Sequence, residues 1–240
     1  MAGRGERLRP LTSSTPKTLL PLAGVPILGR TLAALERAGI RVITLVTGYR
    51  ERQVVHYVRQ KFPRLHVSIV RNPIYARTNT LYSLWMARRA ARCKSFLLID
   101  GDLVFEPKVI PLALAGKGNV LLCDSSVGPD HEAVKACGDW DGRVLRIGKA
   151  GDGVMSSLGE SIGLAKIDML SSRRLFDVCR LVLRSGGARE YYEAAFQRMI
   201  EEGVVFRAVD TQGAKWAEID TKADLRRARA LFNVSVKRGG

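Results

Sequence analysis

The feature that most restricts this chain is an alternation of helix-spaced and strand-like segments between residues 26 and 102, joined by short connections. Residues 26–38 carry apolar side chains at helical spacing, with Pro26 suited to the first turn and Gly39 placed to end it. Residues 40–47 are rich in β-branched side chains and run into Gly48-Tyr49, as a buried strand runs into a ligand-side loop. Residues 50–62 read as a second amphipathic helix stopped by Pro63, 65–70 as a strand, 79–92 as a helix and 95–99 as a third strand. Strand–helix–strand units with connections this short close through right-handed crossovers into a parallel sheet. Ligands of such sheets sit beyond the carboxyl ends of the strands. That rule gathers Gly48-Tyr49, Asn72-Pro73 and Asp100-Gly101-Asp102 on one rim.

The second half changes character. A short helix is expected at 107–115 and a strand at 119–123, while 133–136 and 144–147 flank Asp139-Trp140-Asp141-Gly142 as a hairpin would. Residues 151–158 are polar and contain glycine, the composition of a mobile loop. Strands are expected at 160–167, 206–209 and 216–219, and helices at 169–184 and 190–202. Asp224 stands three residues past Thr221, a capping-box variant for a last helix reaching Phe232. The expectation is a single α/β domain over 1–232 with a mainly parallel sheet, followed by a disordered tail at 233–240.

Composition removes several classes of function. No apolar run reaches transmembrane length and no secretory leader opens the chain, so a membrane span is not expected and the chain reads as cytoplasmic. Cys93, Cys123, Cys137 and Cys179 match no zinc or redox spacing and read as small core residues, 93 and 179 on helices and 123 on a strand. His56, His66 and His131 pair with no serine or cysteine motif, which argues against a nucleophile-and-histidine hydrolase. Lys and Arg number 39 against 23 Asp and Glu, a net charge of +16 that raises nucleic acid as a partner. The basic residues are scattered along helices without a nucleic-acid-binding motif, so solvated faces are the preferred reading and no nucleic acid is expected.

Chemistry concentrates at the start of the chain and at two strand ends. Gly3 and Gly5 precede Arg7, and Lys17 follows Pro16. Backbone N–H groups freed by glycine and backed by fixed cations form a cradle for polyphosphate, although a basic strand-to-helix loop has the same look. Asp100 and Asp102 follow the apolar run 96–99, and Glu218 and Asp220 flank Ile219. Acids leaving a hydrophobic strand toward a phosphate rim are costly unless they hold a cation. Mg²⁺ suits them, because it takes few carboxylates and completes its shell with water and phosphate. The other reading makes Asp100 a turn cap and Asp220 an anion before a helix N-terminus. Alongside the basic glycine loop the metal reading prevails.

The run Gly3-Arg4-Gly5-Glu6-Arg7-Leu8, then Pro16-Lys17-Thr18-Leu19-Leu20-Pro21, resembles the signature of the nucleotidyltransferase superfamily that activates sugar phosphates and small phosphorylated alcohols. Asp100-Gly101-Asp102 and Trp216-Ala217-Glu218-Ile219-Asp220-Thr221 resemble its two metal elements. Asn72-Pro73, residues 79–84 and Gly159-Glu160-Ser161-Ile162-Gly163 are similar to the phosphocholine and 2-aminoethylphosphonate cytidylyltransferase branch. The resemblance implies a Rossmann-like three-layer sandwich of the nucleotidyltransferase (GT-A-like) type and a Mg²⁺-dependent transfer of CMP from CTP to a small phosphorylated or phosphonate acceptor, with release of pyrophosphate. It implies that Gly3, Gly5, Arg7 and Lys17 bind the nucleotide phosphates and that Asp102 and Asp220 hold the metal. Tyr49, Asn79 and Asp100 fall where nucleotide contacts are expected, Lys149 where it would reach the substrate phosphate, and Ser83, Glu160 and Glu218 on the acceptor side. In that family the glycine loop follows a hydrophobic first strand, for which Met1-Ala2 leaves no room, so a start upstream of Met1 is expected. A sugar-1-phosphate or inositol-phosphate nucleotidyltransferase using another NTP stays open, as do a nucleotide-binding sensor and a nucleic-acid binder, and a homodimer is allowed.

Overall fold

The computed structural model describes residues 2–127, 133–149 and 156–232. Short strands β1 (Pro21–Leu22) and β2 (Val25–Pro26) form a hairpin that leads into α1 (Ile27–Arg37). Next, β3 (Val42–Thr47) pairs in parallel with β4 (His66–Arg71) through the crossover helix α2 (Glu51–Lys61). Helices α3 (Thr80–Met86) and α4 (Arg88–Ala91) precede β5 (Phe96–Ile99), β6 (Leu103–Phe105), α5 (Val109–Ala115) and β7 (Asn119–Asp124). After them come β8 (Val134–Gly138), β9 (Arg143–Lys149), β10 (Ser156–Ile167), α6 (Met169–Arg184) and α7 (Glu193–Glu201). The described chain closes with β11 (Phe206–Asp210), β12 (Trp216–Glu218) and α8 (Lys222–Phe232).

The order of the largest sheet is β5-β10-β7-β11-β9-β8. Its central strands are buried on both faces, and side chains alternate between two cores as the period of two requires. Val120 and Leu122 join Leu28, Leu32, Val54, Val58 and Ile110 on one side. Leu121 and Cys123 join Leu81, Leu84, Phe176, Phe196 and Phe206 on the other. Helices α1, α2 and α5 therefore cover one face, and α3, α6 and α7 the opposite face, which is the expected three-layer α/β arrangement.

Antiparallel ladders take a larger share than a mainly parallel sheet would have. Parallel pairing joins β3 to β4 and β11 to β7, whereas β10 runs antiparallel to β5, β7 and β8. The cause is the length of β10, twelve residues, which carries it across three partners once the chain has reversed through the β8–β9 hairpin. Residues 156–158, expected in a loop, open this strand; the rest of that expected loop, the tail at 233–240 and His131 lie outside the described residues. The helix expected at 79–92 is broken at Ala87 into α3 and α4, and Cys93 is exposed with φ 60°, so it is not the core residue its surroundings had implied. Strand β6 went unforeseen because three apolar residues beside an acidic turn carry no period.

Two irregularities position the site. The register of β10 against β7 shifts between Ser161 and Ala165, with Gly163 at φ 78° inside the shift. The Asp100 N–H donates to the Gly163 carbonyl at 2.9 Å, and a Cβ at Gly163 would stand 2.7 Å from the Asp100 carboxylate. A glycine is thus required where Asp100 turns inward. The second is the pairing of β12 with β6, in which Glu218 faces Leu103 and the Ile219 N–H donates to the Asp102 carbonyl at 3.1 Å. That ladder brings two acidic segments more than a hundred positions apart in sequence to one place.

Candidate active site

The opening loop is folded back on itself and tied to the rest of the molecule by its backbone carbonyls. Thr12 Oγ1 donates to the Gly5 carbonyl at 2.7 Å, and Gly5 adopts φ 61°. A Cβ there would lie 3.2 Å from both Lys17 Cβ and Thr12 Cγ2, so the close approach of Lys17 depends on glycine. Tyr49 Oη donates toward the carbonyls of Thr12 and Ser13, Arg50 donates to Ser13 and Gln53 to Ser14. Beneath the loop, Leu8, Leu20 and Leu22 pack on Val104, Ala217, Ile219 and α8 residues Leu225 and Phe232.

This packing delivers Lys17 to the acidic strand ends. Its ammonium donates to Asp102 Oδ2 and, at 2.7 Å, to Asp220 Oδ1, while Arg7 donates to Asp220 Oδ2 at 2.9 Å. Burial pulls the Lys17 pKa down, but Asp102 and Asp220 together overcome that effect and leave it above the ordinary value. Lys17 is therefore fully charged at neutral pH. Asp220 precedes α8, whose first turn is closed by the expected capping box: Thr221 and Asp224 exchange side-chain-to-backbone hydrogen bonds at 2.7 and 3.2 Å.

Around this pair lies more negative charge than the two cations neutralise. Asp100 accepts a hydrogen bond from Tyr192 Oη at 3.0 Å; burial first, then Asp102 and Glu193, push its pKa up to about 8. Burial, then Asp102, Asp220 and Asp100, raise Glu218 to about 7, and burial with Glu218 raises Glu193 to about 7. Carboxylates crowded to this degree hold protons unless a cation joins them. Asp102, Glu218 and Asp220 each offer an oxygen within 4.8 Å of the others. An all-oxygen, anionic donor set at that spacing fits a hard divalent ion such as Mg²⁺.

All of these groups border one cavity of about 1710 Å³. Its wall includes Gly3, Gly5, Arg7, Lys17, Asn79, Ser83, Asp100, Asp102, Lys149, Glu160, Glu218 and Asp220. Tyr49 is not among them: its hydroxyl braces the loop carbonyls instead. Asn79 lines the cavity while its side chain caps α3 by accepting from the Thr80 N–H at 2.9 Å. Ser83 accepts from Asn72 Nδ2 at 3.3 Å. Lys149 ends β9 and Glu160 lies on β10, so both reach the wall from the hairpin side. Sequence reasoning missed Tyr192 and Glu193. A signal was present: Glu193 stands three residues before Phe196 and seven before Ile200, placing a carboxylate on the apolar face of its helix.

The cavity exceeds the roughly 300–1,000 Å³ typical of small-ligand sites because it continues as a slot between β3 and β5, past Val42–Val46 on one wall and Phe96–Ile99 on the other. Among the described residues β3 pairs only with β4, and β5 only with β10.

Comparison with known proteins bears on the family and the fold. The family model of the MobA-like NTP transferase domain matches residues 1–199. CMP-5'-(3-aminopropyl)phosphonate synthase of Streptomyces rubellomurinus is 30% identical over 239 residues, 97% of this chain but 38% of that protein. 2-Aminoethylphosphonate cytidylyltransferase of Lancefieldella rimae is 26% identical over 237 residues, 93% of this chain and 87% of that one. This chain therefore spans well under half the length of the first relative and most of the second. Among solved structures, the CTP:phosphocholine cytidylyltransferase from Streptococcus pneumoniae superposes with a TM-score of 0.77 at 21% identity, covering 95% of both chains. The inositol-1-phosphate CTP transferase from T. maritima gives 0.80 at 20% identity, covering 96% of this chain and 91% of that one, and both likenesses concern the fold alone. No helix among the described residues is long and apolar enough to cross a membrane.

Proposed function

The chain belongs to the family of MobA-like NTP transferase domains, and from that premise we propose that it transfers CMP from CTP to a small phosphonate or phosphate ester bearing a cationic nitrogen. Residues 1–232 act as one catalytic unit in this reading. The observation that carries it is the junction of Lys17 and Arg7 with Asp102 and Asp220 in the wall of a cavity that Gly3 and Gly5 also border. The relatives named for aminopropyl- and aminoethylphosphonate support the choice of nucleotide and acceptor class.

The chemistry needs little proton transfer. A phosphonate or phosphate monoester is largely ionised at neutral pH, so the acceptor oxygen is already a nucleophile. The barrier lies in bringing it onto the anionic α-phosphate and in the charge that develops on departing pyrophosphate. Lys17 and Arg7 offset that charge with fixed cations, and the backbone around Gly3 and Gly5 offers N–H donors to the phosphates. Asp102 and Asp220 are the residues that would hold Mg²⁺, with Glu218 next to them turned to the acceptor side; when bound, the ion screens phosphate charge. Asn79, Asp100 and Tyr49 serve the nucleotide side, Tyr49 by bracing the loop. Lys149 receives the acceptor phosphonate, and Ser83 and Glu160 shape the acceptor side. Charge that helps only as the leaving group departs lowers the barrier rather than tightening ground-state binding.

The test is pyrophosphate release with Mg²⁺, crossing the four NTPs with 2-aminoethylphosphonate, phosphocholine, inositol phosphate and glucose 1-phosphate. Release with CTP and an amine acceptor supports the proposal. Turnover restricted to a sugar or inositol phosphate, or nucleotide binding without any turnover, overturns it.

A further inference from the structure

We propose that Glu193, with Glu218, forms the subsite for the acceptor's nitrogen, and that this subsite selects a primary ammonium over a quaternary one; the inference rests on the acceptor class proposed above. Glu193 opens α7 and borders the cavity beside Tyr192, Asp100 and Glu218. Its Oε2 is shut off from solvent and accepts no hydrogen bond. Tyr192 Oη lies close enough to favour the charged form of Glu193, but its hydrogen bond goes to Asp100 Oδ2, and Lys17 and Arg7 are engaged by Asp102 and Asp220. No ion pair involving Glu193 occurs among the described residues. Glu193 also stands outside the three-carboxylate group suited to a metal, so the ion proposed there does not account for it.

A buried carboxylate oxygen without a partner is rare and costly, and its natural complement is a charged N–H donor. A primary ammonium carries three such donors, enough to reach Glu193 Oε2 and Glu218 together. A trimethylammonium group has none and is held instead by aromatic faces. Placed here it would leave Oε2 unsatisfied and desolvated, which penalises the wrong substrate more than it rewards the right one. The acceptor then lies across the cavity with its phosphonate between Lys149 and the cations of the opening loop and its ammonium toward α7.

The experiment compares 2-aminoethylphosphonate, its N-trimethyl analogue and ethylphosphonate as acceptors for the wild type, Glu193→Gln and Glu193→Asp. Pyrophosphate release and calorimetric binding are both read, with melting temperature as a check on folding. The wild type is expected to favour the primary amine over both analogues by tenfold or more in kcat/KM, about 1.4 kcal/mol. In Glu193→Gln that preference collapses through KM for the amine, and Glu193→Asp recovers part of it. Equal use of the primary and trimethyl acceptors by the wild type, or an unchanged preference in Glu193→Gln, overturns the inference. If no acceptor is turned over, the transferase reading fails, while the calorimetric difference between 2-aminoethylphosphonate and ethylphosphonate still decides the subsite: tighter binding of the amine that Glu193→Gln abolishes supports it, and equal binding refutes it.

Discussion

Removing the Lys17 side chain separates what it does for the fold from what it does for the reaction. Its ammonium lies between Asp102 and Asp220, with side chains 16%, 21% and 32% exposed respectively. In Lys17→Ala the carboxylate oxygens of Asp102, Glu218 and Asp220 remain within 4.8 Å of one another, opposed only by Arg7 on Asp220. Two unit charges at that separation repel by about 3 kcal/mol at an effective dielectric of about 20, less whatever solvent screens at the more open Asp220. A chain of this size loses about 2–4 °C of Tm per kcal/mol, so a fall of roughly 6–12 °C is expected. With a typical stability of about 5–15 kcal/mol the variant still folds. Mg²⁺ should then raise the Tm of Lys17→Ala more than that of the wild type, because the carboxylates are no longer occupied. Turnover should fall by a factor of about a hundred or more and stay low in Mg²⁺, since the ion replaces the charge between the carboxylates but not the ammonium proposed to meet the phosphates. Calorimetric melting with EDTA and with Mg²⁺, beside a pyrophosphate assay, reads both arms. A wild-type rate, an unchanged Tm, or equal Mg²⁺ stabilisation of the two proteins would refute the reasoning.

Asp102→Ala should likewise lower turnover by about a hundredfold or more while leaving a folded protein, and a folded variant with wild-type pyrophosphate release would sink its assignment. The Asp100 carboxyl, raised from 3.8 to about 8, holds a proton in the native state that the unfolded chain has lost. Its contribution to stability is complete below about pH 4 and vanishes as pH rises through 8, so without divalent ions the wild type should weaken between pH 6 and 8. Asp100→Asn should flatten that fall by up to about 1.4 kcal/mol per pH unit, and parallel denaturation curves would contradict the assignment. Gly5→Ala forces a side chain into φ 61° and against Lys17 Cβ at 3.2 Å; a loss of about 1 kcal/mol or more and a raised KM for CTP are expected, and a neutral outcome in melting and kinetics would count against the loop geometry. Fusing a six-residue Val/Ile-rich segment ahead of residue 1 should fill the slot between β3 and β5, raise Tm and slow amide exchange at 42–47 and 96–99; unchanged exchange there would show that the slot does not accept a strand.

What could be read from the sequence followed the range over which its signals act. Capping and periodicity are local, and α1, α2 and α6 fall within two residues of the expected bounds, Met169–Arg184 with no shift at all. The acids at 100, 102, 218 and 220 could be picked out because each pair leaves an apolar run, a local contrast as well. What stayed hidden depends on pairing between distant segments. Nothing near residue 103 announces that β6 will pair with β12, yet that ladder is what sets Glu218 and Asp220 against Asp102. The bulge in β10 that turns Asp100 inward arises from its simultaneous pairing with β5 and β7, and no window of sequence contains all three strands. Tyr49 shows the converse: its place just past the end of β3 was legible, but the Thr12 and Ser13 carbonyls that engage its hydroxyl, away from the cavity wall, were not.

The distribution of charge explains why a chain with so many cations keeps so few at its centre. Part of the positive charge lies on exposed helix faces, as with Arg89 on α4 and Arg226, Arg227 and Arg229 on α8, where it would raise the local concentration of phosphorylated ligands without holding any of them in place. The centre has the opposite composition, with Asp100, Asp102, Glu193, Glu218 and Asp220 around Lys17 and Arg7. A site built only of cations would bind nucleotide and acceptor tightly in the ground state and gain nothing as charge moves to the leaving group. Carboxylates that grip Lys17 fix its ammonium in one place before substrate arrives, so little reorganisation remains when the phosphates come within reach. The acidic excess is then a means of orienting a small number of positive charges, and substitutions that neutralise single carboxylates should harm turnover more than nucleotide affinity. A series of Asp102→Asn and Asp220→Asn variants with weakened CTP binding but undiminished kcat would show that the acids serve binding alone.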